Sequence, residues 1–425
     1  MEQEMRHAGE KILTALHDAG HEAYFVGGFV RDFLASRAIK DIDIATSALP
    51  SEVVELFPRT LPTGLQHGTV SVKMESHWFE VTTYRKEKDY QQHRRPGEVE
   101  FISSLHDDLK RRDFTMNAMA MDLQGNIIDP FGGQADMRSR MIRCVGSPLE
   151  RFHEDALRMM RCIRFAAEYN FSINELTWNG LLQSVSLFEH IAMERVGSEL
   201  IRLMEGSYPI VGLKLLDASR LLAHCKETIH WPELKSEETL QQRFANLTMN
   251  DEHDAVQLRW PLFFIAAKYA AQDAQHTLRR MRFPVKRIHE IVRIIELHHF
   301  LLEDGQRLLS SSETMLWRTS WHNAVIIFGR ETAQSWAAVQ SSGGLEAALS
   351  VYQQEGSAWL HEMSIWSFQQ LNVDGYELQQ ALQRKPGAWI KDILHKLTLG
   401  VSVGSIKNEK TELLQQAKLE MEPMQ

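Results

Sequence analysis

The stretch Tyr24-Phe25-Val26-Gly27-Gly28-Phe29-Val30-Arg31-Asp32, followed by Lys40-Asp41-Ile42-Asp43-Ile44-Ala45-Thr46, decides how the chain is read. A short apolar run enters a Gly-Gly pair and leaves as a helical segment expected over residues 29–37, which describes strand, tight turn and helix. At such a turn backbone amides and the positive helix end meet where no side chain blocks approach, an arrangement that suits a phosphate. Gly-Gly by itself explains only the turn. The added chemistry is the Asp-x-Asp that begins thirteen residues after Gly28. On a strand, Asp41 and Asp43 share one face while Ile42 and Ile44 share the other. Two adjacent carboxylates repel, a bound cation relieves the repulsion, and hard oxygen donors beside substrate phosphates favour Mg²⁺. A third acid, Glu80, interrupts the apolar strand Trp78–Tyr84 and is placed to reach the same cation from a neighbouring strand. Turn and acids together point to metal-assisted phosphoryl chemistry.

Outward from this core the chain has two textures. Between about residues 20 and 145, β-like runs at Glu22–Val26, Asp41–Ala45, Thr69–Met74, Trp78–Arg85, Glu98–Ile102, Met119–Leu123 and Met141–Val145 alternate with turn residues. Helical segments, Ala8–Ala19 among them, are interleaved. Beyond Pro148 the β signal fades and apolar residues recur at three and four, as in Leu157, Met160, Ile163, Phe165 and Ala166. Breaks at Gly206–Pro209, Trp231-Pro232, Phe283-Pro284 and Ser310–Glu313 divide the helical part. The fold class is therefore α+β: a head with a mixed sheet followed by an all-α remainder.

At 425 residues, two to four domains are expected. Hydrophobic residues at 44% and charged residues at 24% match a globular protein and argue against disorder or collagen-like repeats. The net charge of −9 excludes a globally basic coat for nucleic acid but leaves room for a local basic groove. Basic clusters do occur, at Arg279, Arg280 and Arg282 with Lys286 and Arg287, and at Arg384, Lys385, Lys391, Lys396, Lys407, Lys410 and Lys418. Cys144, Cys162 and Cys225 form no CxxC pair, so disulfides are not expected and a reducing compartment is. No signal-peptide pattern is found, and the longest apolar run, Trp260–Ala267, is too short to span a membrane. A cytoplasmic protein without membrane contact is expected. The dipeptides His17-Asp18 and His106-Asp107 lack further metal ligands, and His298-His299 reads as structural.

Five motifs in order, Gly27-Gly-x-Val-Arg-Asp32, Asp41-x-Asp-x-Ala-Thr46, Glu80-Val-Thr-Thr-Tyr-Arg85, Arg111-Arg-Asp-Phe-Thr-Met-Asn-Ala118 and Glu154-Asp-Ala-Leu-Arg158, strongly resemble the bacterial class II CCA-adding enzymes. This tRNA nucleotidyltransferase group of the polymerase-beta-like superfamily also contains poly(A) polymerases. The likeness is dense from about residue 20 to 170 and thinner beyond, where Arg384–Ile390 and the segment from Asn408 look like the family's C-terminal region. The resemblance implies a polymerase-beta-like nucleotidyltransferase head over residues 1–140, a neck that recognises the base over 141–207, a body over 208–315 and a tRNA-binding tail over 316–425. It implies that Gly28 and Arg31 hold the triphosphate, and that Asp41 and Asp43 hold Mg²⁺. Arg112, Asp155, Arg158, Arg161 and Arg164 would contact the incoming nucleotide. Substrates would be tRNA, CTP and ATP, with the protein a monomer or homodimer.

Three further expectations follow. Asp155 and Arg158, three apart on a helix taken to begin near Pro148, would share a face. A carboxylate that only accepts and a guanidinium that only donates match the amine and ring nitrogen shared by C and A, and repel the carbonyl of U and G. The polar residues of Phe114–Asn117 are expected at the ribose. The charged segment Lys86–Pro96, without apolar periodicity, resembles the flexible loop that the family needs to switch from C to A. An A-adding enzyme or poly(A) polymerase is the nearest alternative, and a catalytically silent RNA-binding module is the alternative from another class.

Overall fold

The computed structural model describes residues 2–91, 95–232, 237–247, 252–311, 313–344 and 346–421. Its contacts divide the chain into two compact units, residues 1–229 and 230–425. The first is α+β and the second is helical throughout its described residues, as the change of texture in the sequence leads one to expect.

In the first unit the strands are β1 (Ala23–Val26), β2 (Asp43–Thr46), β3 (Thr60–Gly64), β4 (Thr69–Met74), β5 (His77–Thr83), β6 (Arg85–Gln91), β7 (Arg95–Phe101), β8 (Ala120–Met121) and β9 (Ile127–Ile128). Seven of them form one mixed sheet in the order β3-β4-β5-β2-β1-β8-β9. The β2–β5 pair is parallel, and its register sets Asp43 opposite Glu80. The pairs β1–β2, β4–β5 and β1–β8 are antiparallel. Period-two alternation sends Phe25, Ile44, Phe79 and Val81 into a core with Ile12, Leu13 and Leu16 of the helix Glu2–Asp18. Val26 and Ala45 pack on the opposite face with Tyr84, Leu109 and Ala120. Asp43 and Glu80 belong to that second face, because each is one residue out of step with the apolar set.

The charged segment after β5 is not a plain loop. It forms most of a two-stranded antiparallel ribbon, β6 with β7, whose register sets Lys86 opposite Glu100. Facing opposite charges stabilise a ribbon without supplying the apolar alternation by which a strand is recognised. Residues 92–94, including His93 of the segment predicted to act in the C-to-A switch, lie outside the described residues.

After the sheet, β10 (Met141–Ile142) pairs in parallel with β11 (Ser172–Ile173). The single helix expected from Pro148 is two helices, Pro148–Glu154 and Leu157–Tyr169. Asp155 between them is extended, with φ −139° and ψ 104°. Its Oδ1 accepts from the backbone N–H of Leu157 at 3.0 Å, the local bond by which Asp competes with a continuing helix. Helix Leu157–Tyr169 buries nearly its whole length against helices Met193–Glu205 and Pro209–Ser219.

In the second unit the 24-residue helix Val285–Leu308 is the central element, with helices Arg259–Ala266, Ala271–Arg280, Thr314–Phe328 and Arg330–Ser341 against it. Gly305 lets it approach closely: a Cβ there would fall 1.9 Å from the carbonyl oxygen of Ala348. Trp321 stacks on Tyr352 and packs at a tilt against Trp336. A separate apolar cluster joins helices Gly375–Leu382, Trp389–Ser402 and Lys410–Met421. His298 is buried and structural as expected, bonded to Gln340 at 3.2 Å. Among the described residues no helix is long and apolar enough to cross a membrane.

Candidate active site

A cavity of about 500 Å³ opens on the polar face of the sheet, between the ends of β1, β2 and β5 and the start of helix Leu157–Tyr169. Its floor is the Gly27-Gly28 turn. Gly27 has φ +65°, a conformation that favours glycine, and a Cβ there would stand 3.1 Å from Arg112 Nη1 and 3.7 Å from Asp43 Oδ2. One at Gly28 would stand 3.6 Å from Arg31 Nη2 and 4.0 Å from Asp41 Oδ1. The missing side chains leave room where two arginines and two aspartates converge.

Asp43 and Glu80 are brought together on adjacent strands, while Asp41 precedes β2 and is exposed. Asp43 is pushed up to about 6 by burial and by the neighbouring charges of Asp41 and Glu80, with Arg112 and Arg31 opposing. Asp43 and Glu80 line the cavity, whereas Asp41 lies outside its lining. Among the described residues no group of three or more His, Cys, Asp or Glu side chains is gathered in metal-binding geometry.

Arginines dominate the rest. Seven of them (31, 85, 111, 112, 158, 161 and 195) and four carboxylates (43, 80, 113 and 155) line the cavity. In a chain of net charge −9, this is the local excess of positive charge that a polyphosphate requires. Arg31 donates through Nη1 to Asn117 Oδ1 at 2.7 Å. Asn117 Nδ2 in turn donates to Asp113 Oδ1 at 2.9 Å, and Arg161 closes the chain on Asp113 Oδ2 at 2.8 Å. Burial opposes ionisation of Asp113, but Arg161, the Asn117 side chain and Arg158 hold it well below the ordinary carboxylate range. Arg112 bonds the Asn117 carbonyl and Asp108, both at 3.3 Å, while its buried Nε has no hydrogen-bond partner among the described residues.

Both members of the expected base-reading pair line the cavity. Asp155 is held by Arg195 Nη2 at 2.9 Å, and Arg158 donates to Glu154 Oε2 at 2.6 Å and to the Arg111 carbonyl at 3.1 Å. Asp155 reaches this space from the helix break itself and Arg158 from the first turn of the helix that follows, rather than both from one helical face. Arg164 does not join them. It lies outside the cavity lining, bonded to Glu199 at 2.6 Å and Glu168 at 2.5 Å. Thr115 points to Asp136, at 2.7 Å, so of the polar residues expected at the ribose only Asn117 faces the cavity. Thr69, Thr82, Arg85, Arg111, Asp113 and Arg195 are the polar lining residues to which sequence reasoning gave no role. Asp113 lay inside a recognised motif, whereas Arg195, forty residues beyond Asp155, carries no local signal.

A glycine turn, strand-borne acids on a mixed sheet and an arginine-lined pocket define a nucleotidyltransferase head. Residues 23–143 match the Poly A polymerase head domain family, and residues 251–417 match the tRNA nucleotidyltransferase domain 2 family. Over 401 residues the chain is 38% identical to a CCA-adding enzyme of Bacillus cytotoxicus, covering 94% of each. Its structure resembles that of the Bacillus stearothermophilus CCA-adding enzyme in complex with CTP, with TM-score 0.77, 32% identity and 97% coverage of both chains. A Thermotoga maritima CCA-adding enzyme complexed with tRNA, 20% identical, shares the fold with TM-score 0.65 over 97% of this chain and 94% of that one. The chain belongs to the CCA-adding enzyme family and is a nucleotidyltransferase.

Proposed function

We propose that this protein adds C, C and A to the 3′ end of tRNA without a nucleic-acid template, consuming CTP and ATP and releasing pyrophosphate. The observation that carries the reading is the cavity itself, where Asp43 and Glu80 face the Gly27-Gly28 turn amid seven arginines. Relatives alike over nearly the full length are CCA-adding enzymes, which favours complete addition over the A-only alternative. In this reading residues 1–140 are the head, 141–207 the neck, 208–315 the body and 316–425 the tail, and the protein acts in the cytoplasm.

The donor set suits Mg²⁺: hard carboxylate oxygens only, with Asp43 crowded by like charge that a cation would neutralise. Asp41 and Asp43 would hold it, with Glu80 beside them. When bound, Mg²⁺ eases deprotonation of the tRNA 3′-hydroxyl and offsets charge on the departing pyrophosphate. The rest belongs to this chain. Gly27 and Gly28 admit the triphosphate close to the backbone, and Arg31 and Arg112 offer it fixed N–H donors. In-line attack of the 3′-hydroxyl on the α-phosphate then needs positioning more than covalent help from protein. Asp155 accepts from the exocyclic amine of C or A, and Arg158 donates to the ring nitrogen beside it. Arg161 acts on the nucleotide side through Asp113 and Asn117, and Arg164 supports the neck that carries these groups.

The test is product length on tRNA lacking its 3′ CCA, incubated with CTP, with ATP and with both. Addition of CC from CTP alone and of CCA from the mixture is expected; addition of A alone would overturn the reading in favour of the A-adding alternative. Deleting Lys86–His93 should spare the two C additions and suppress the terminal A.

A further inference from the structure

Arg31 starts from a helix of only seven residues, Gly28–Leu34, yet its guanidinium is fixed from three sides. Asp32 takes it side-on, from Nε at 3.2 Å and Nη2 at 2.9 Å. Asn117 takes Nη1 at 2.7 Å. The third contact comes from 138 residues away: Nε also donates to the hydroxyl of Tyr169, at 2.6 Å. That hydroxyl donates onward to Asp32 Oδ1, so it joins the arginine to its counter-ion. The rings of Phe165 and Tyr169 lie 5.2 and 5.1 Å from the guanidinium carbon.

We propose that Tyr169 is a positioning residue for the triphosphate, acting through Arg31. The bonds described use the Nε–H, one Nη1–H and one Nη2–H, and leave one hydrogen on each terminal nitrogen. Those two donors remain for phosphate oxygens, and Nη2 already lies beside the open face of Gly28. Tyr169 also shares Asp32 Oδ1, which keeps the carboxylate from drawing the guanidinium wholly to itself. Fixing the guanidinium before the nucleotide arrives removes rotamer freedom that binding would otherwise have to quench. Tyr169 is the last residue of helix Leu157–Tyr169, so the neck helix that carries Arg158 at its first turn carries the phosphate-positioning hydroxyl at its last.

The inference rests on Arg31 being a triphosphate ligand, and the experiment separates the two claims. Tyr169→Phe in the full-length protein keeps the ring and deletes only the hydroxyl. Affinity for CTP and for ATP, from equilibrium binding of labelled nucleotide, should fall equally, by about three- to tenfold. KM should rise by the same factor while kcat changes by less than about twofold, the signature of binding lost equally from ground and transition states. Affinity for CMP should not move. Arg31→Lys should weaken CTP further, and adding Tyr169→Phe to it should have no additional effect. If Arg31→Lys leaves CTP binding intact, both the reading of Arg31 and the inference fall. If Arg31→Lys weakens CTP but Tyr169→Phe does not, or weakens CTP and CMP alike, only the role of Tyr169 is overturned.

Discussion

Asp43 and Glu80 stand directly opposite each other on adjacent parallel strands, with Asp41 close by, and burial together with this repulsion moves the Asp43 carboxyl up to about 6. A folded-state value raised above the unfolded 3.8 means that the native protein prefers Asp43 protonated. Without a cation, stability should therefore fall as pH rises from about 4 through 6 and level off above. Asp43→Asn should stabilise the metal-free protein by about 1–3 kcal/mol at pH 7.5, the upper end being the shift at ~1.4 kcal/mol per unit. The gain should vanish near pH 4, and nucleotide addition should drop by several orders of magnitude. Thermal melts across this pH range, with and without Mg²⁺, together with an activity assay, check it; in the parent Mg²⁺ should flatten the pH dependence.

Arg161 and Asp113 are predicted to be a structural pair as much as a nucleotide contact. Asp113 also receives the N–H of Phe114 and the Asn117 amide. Asp113→Ala should cost about 2–3 kcal/mol, less than for a fully buried pair because the Arg161 side chain is 32% exposed. Urea unfolding measures this.

Arg164 should not influence base choice. Its partners Glu199 and Glu168 lie on helices Met193–Glu205 and Leu157–Tyr169, so Arg164→Leu should lower the melting temperature while leaving the ratio of CTP to ATP use unchanged. A shift in that ratio would return Arg164 to the nucleotide.

Asp155 should control discrimination. Its replacement by Ala removes the acceptor for the amine and should reduce preference for CTP over UTP by about 1–3 kcal/mol. Competition of CTP and UTP for the first addition reads this directly.

The second unit should be acid-labile. Burial lowers His298 to about 3 and His322 to about 4, assisted by the charges of His299 and Arg318 respectively. Neutral in the fold and protonated when unfolded, these residues contribute stability that is present above about 6.5 and lost as pH falls toward 4. His298→Gln should flatten that loss in melts between pH 7 and 4.

Much of this was legible locally. The Gly-Gly turn, the alternation around Asp43 and the Glu80 strand depend on neighbours in sequence, and the structure keeps all three. The helix break at Asp155 was not legible, because the run of good helix formers hides a side chain that bonds the backbone two residues on. Of the ribbon after β5, the second strand overlaps the expected run Glu98–Ile102, while the first escaped because its charged sequence shows no apolar alternation. Arg195 and Tyr169 were invisible for another reason: each works on a residue far away in the chain, and packing of helices Leu157–Tyr169 and Met193–Glu205 brings them in.

The placement of Ile42, Asp43 and Ile44 also sets which length changes the gene can tolerate. Loss or gain of one codon within residues 42–46 would turn Asp43 into the apolar core and an isoleucine out to the cavity, inactivating and destabilising the protein at once. The irregular link 36–40 just before it carries no such phase. Natural variation in length should therefore accumulate in that link and stop abruptly at the strand.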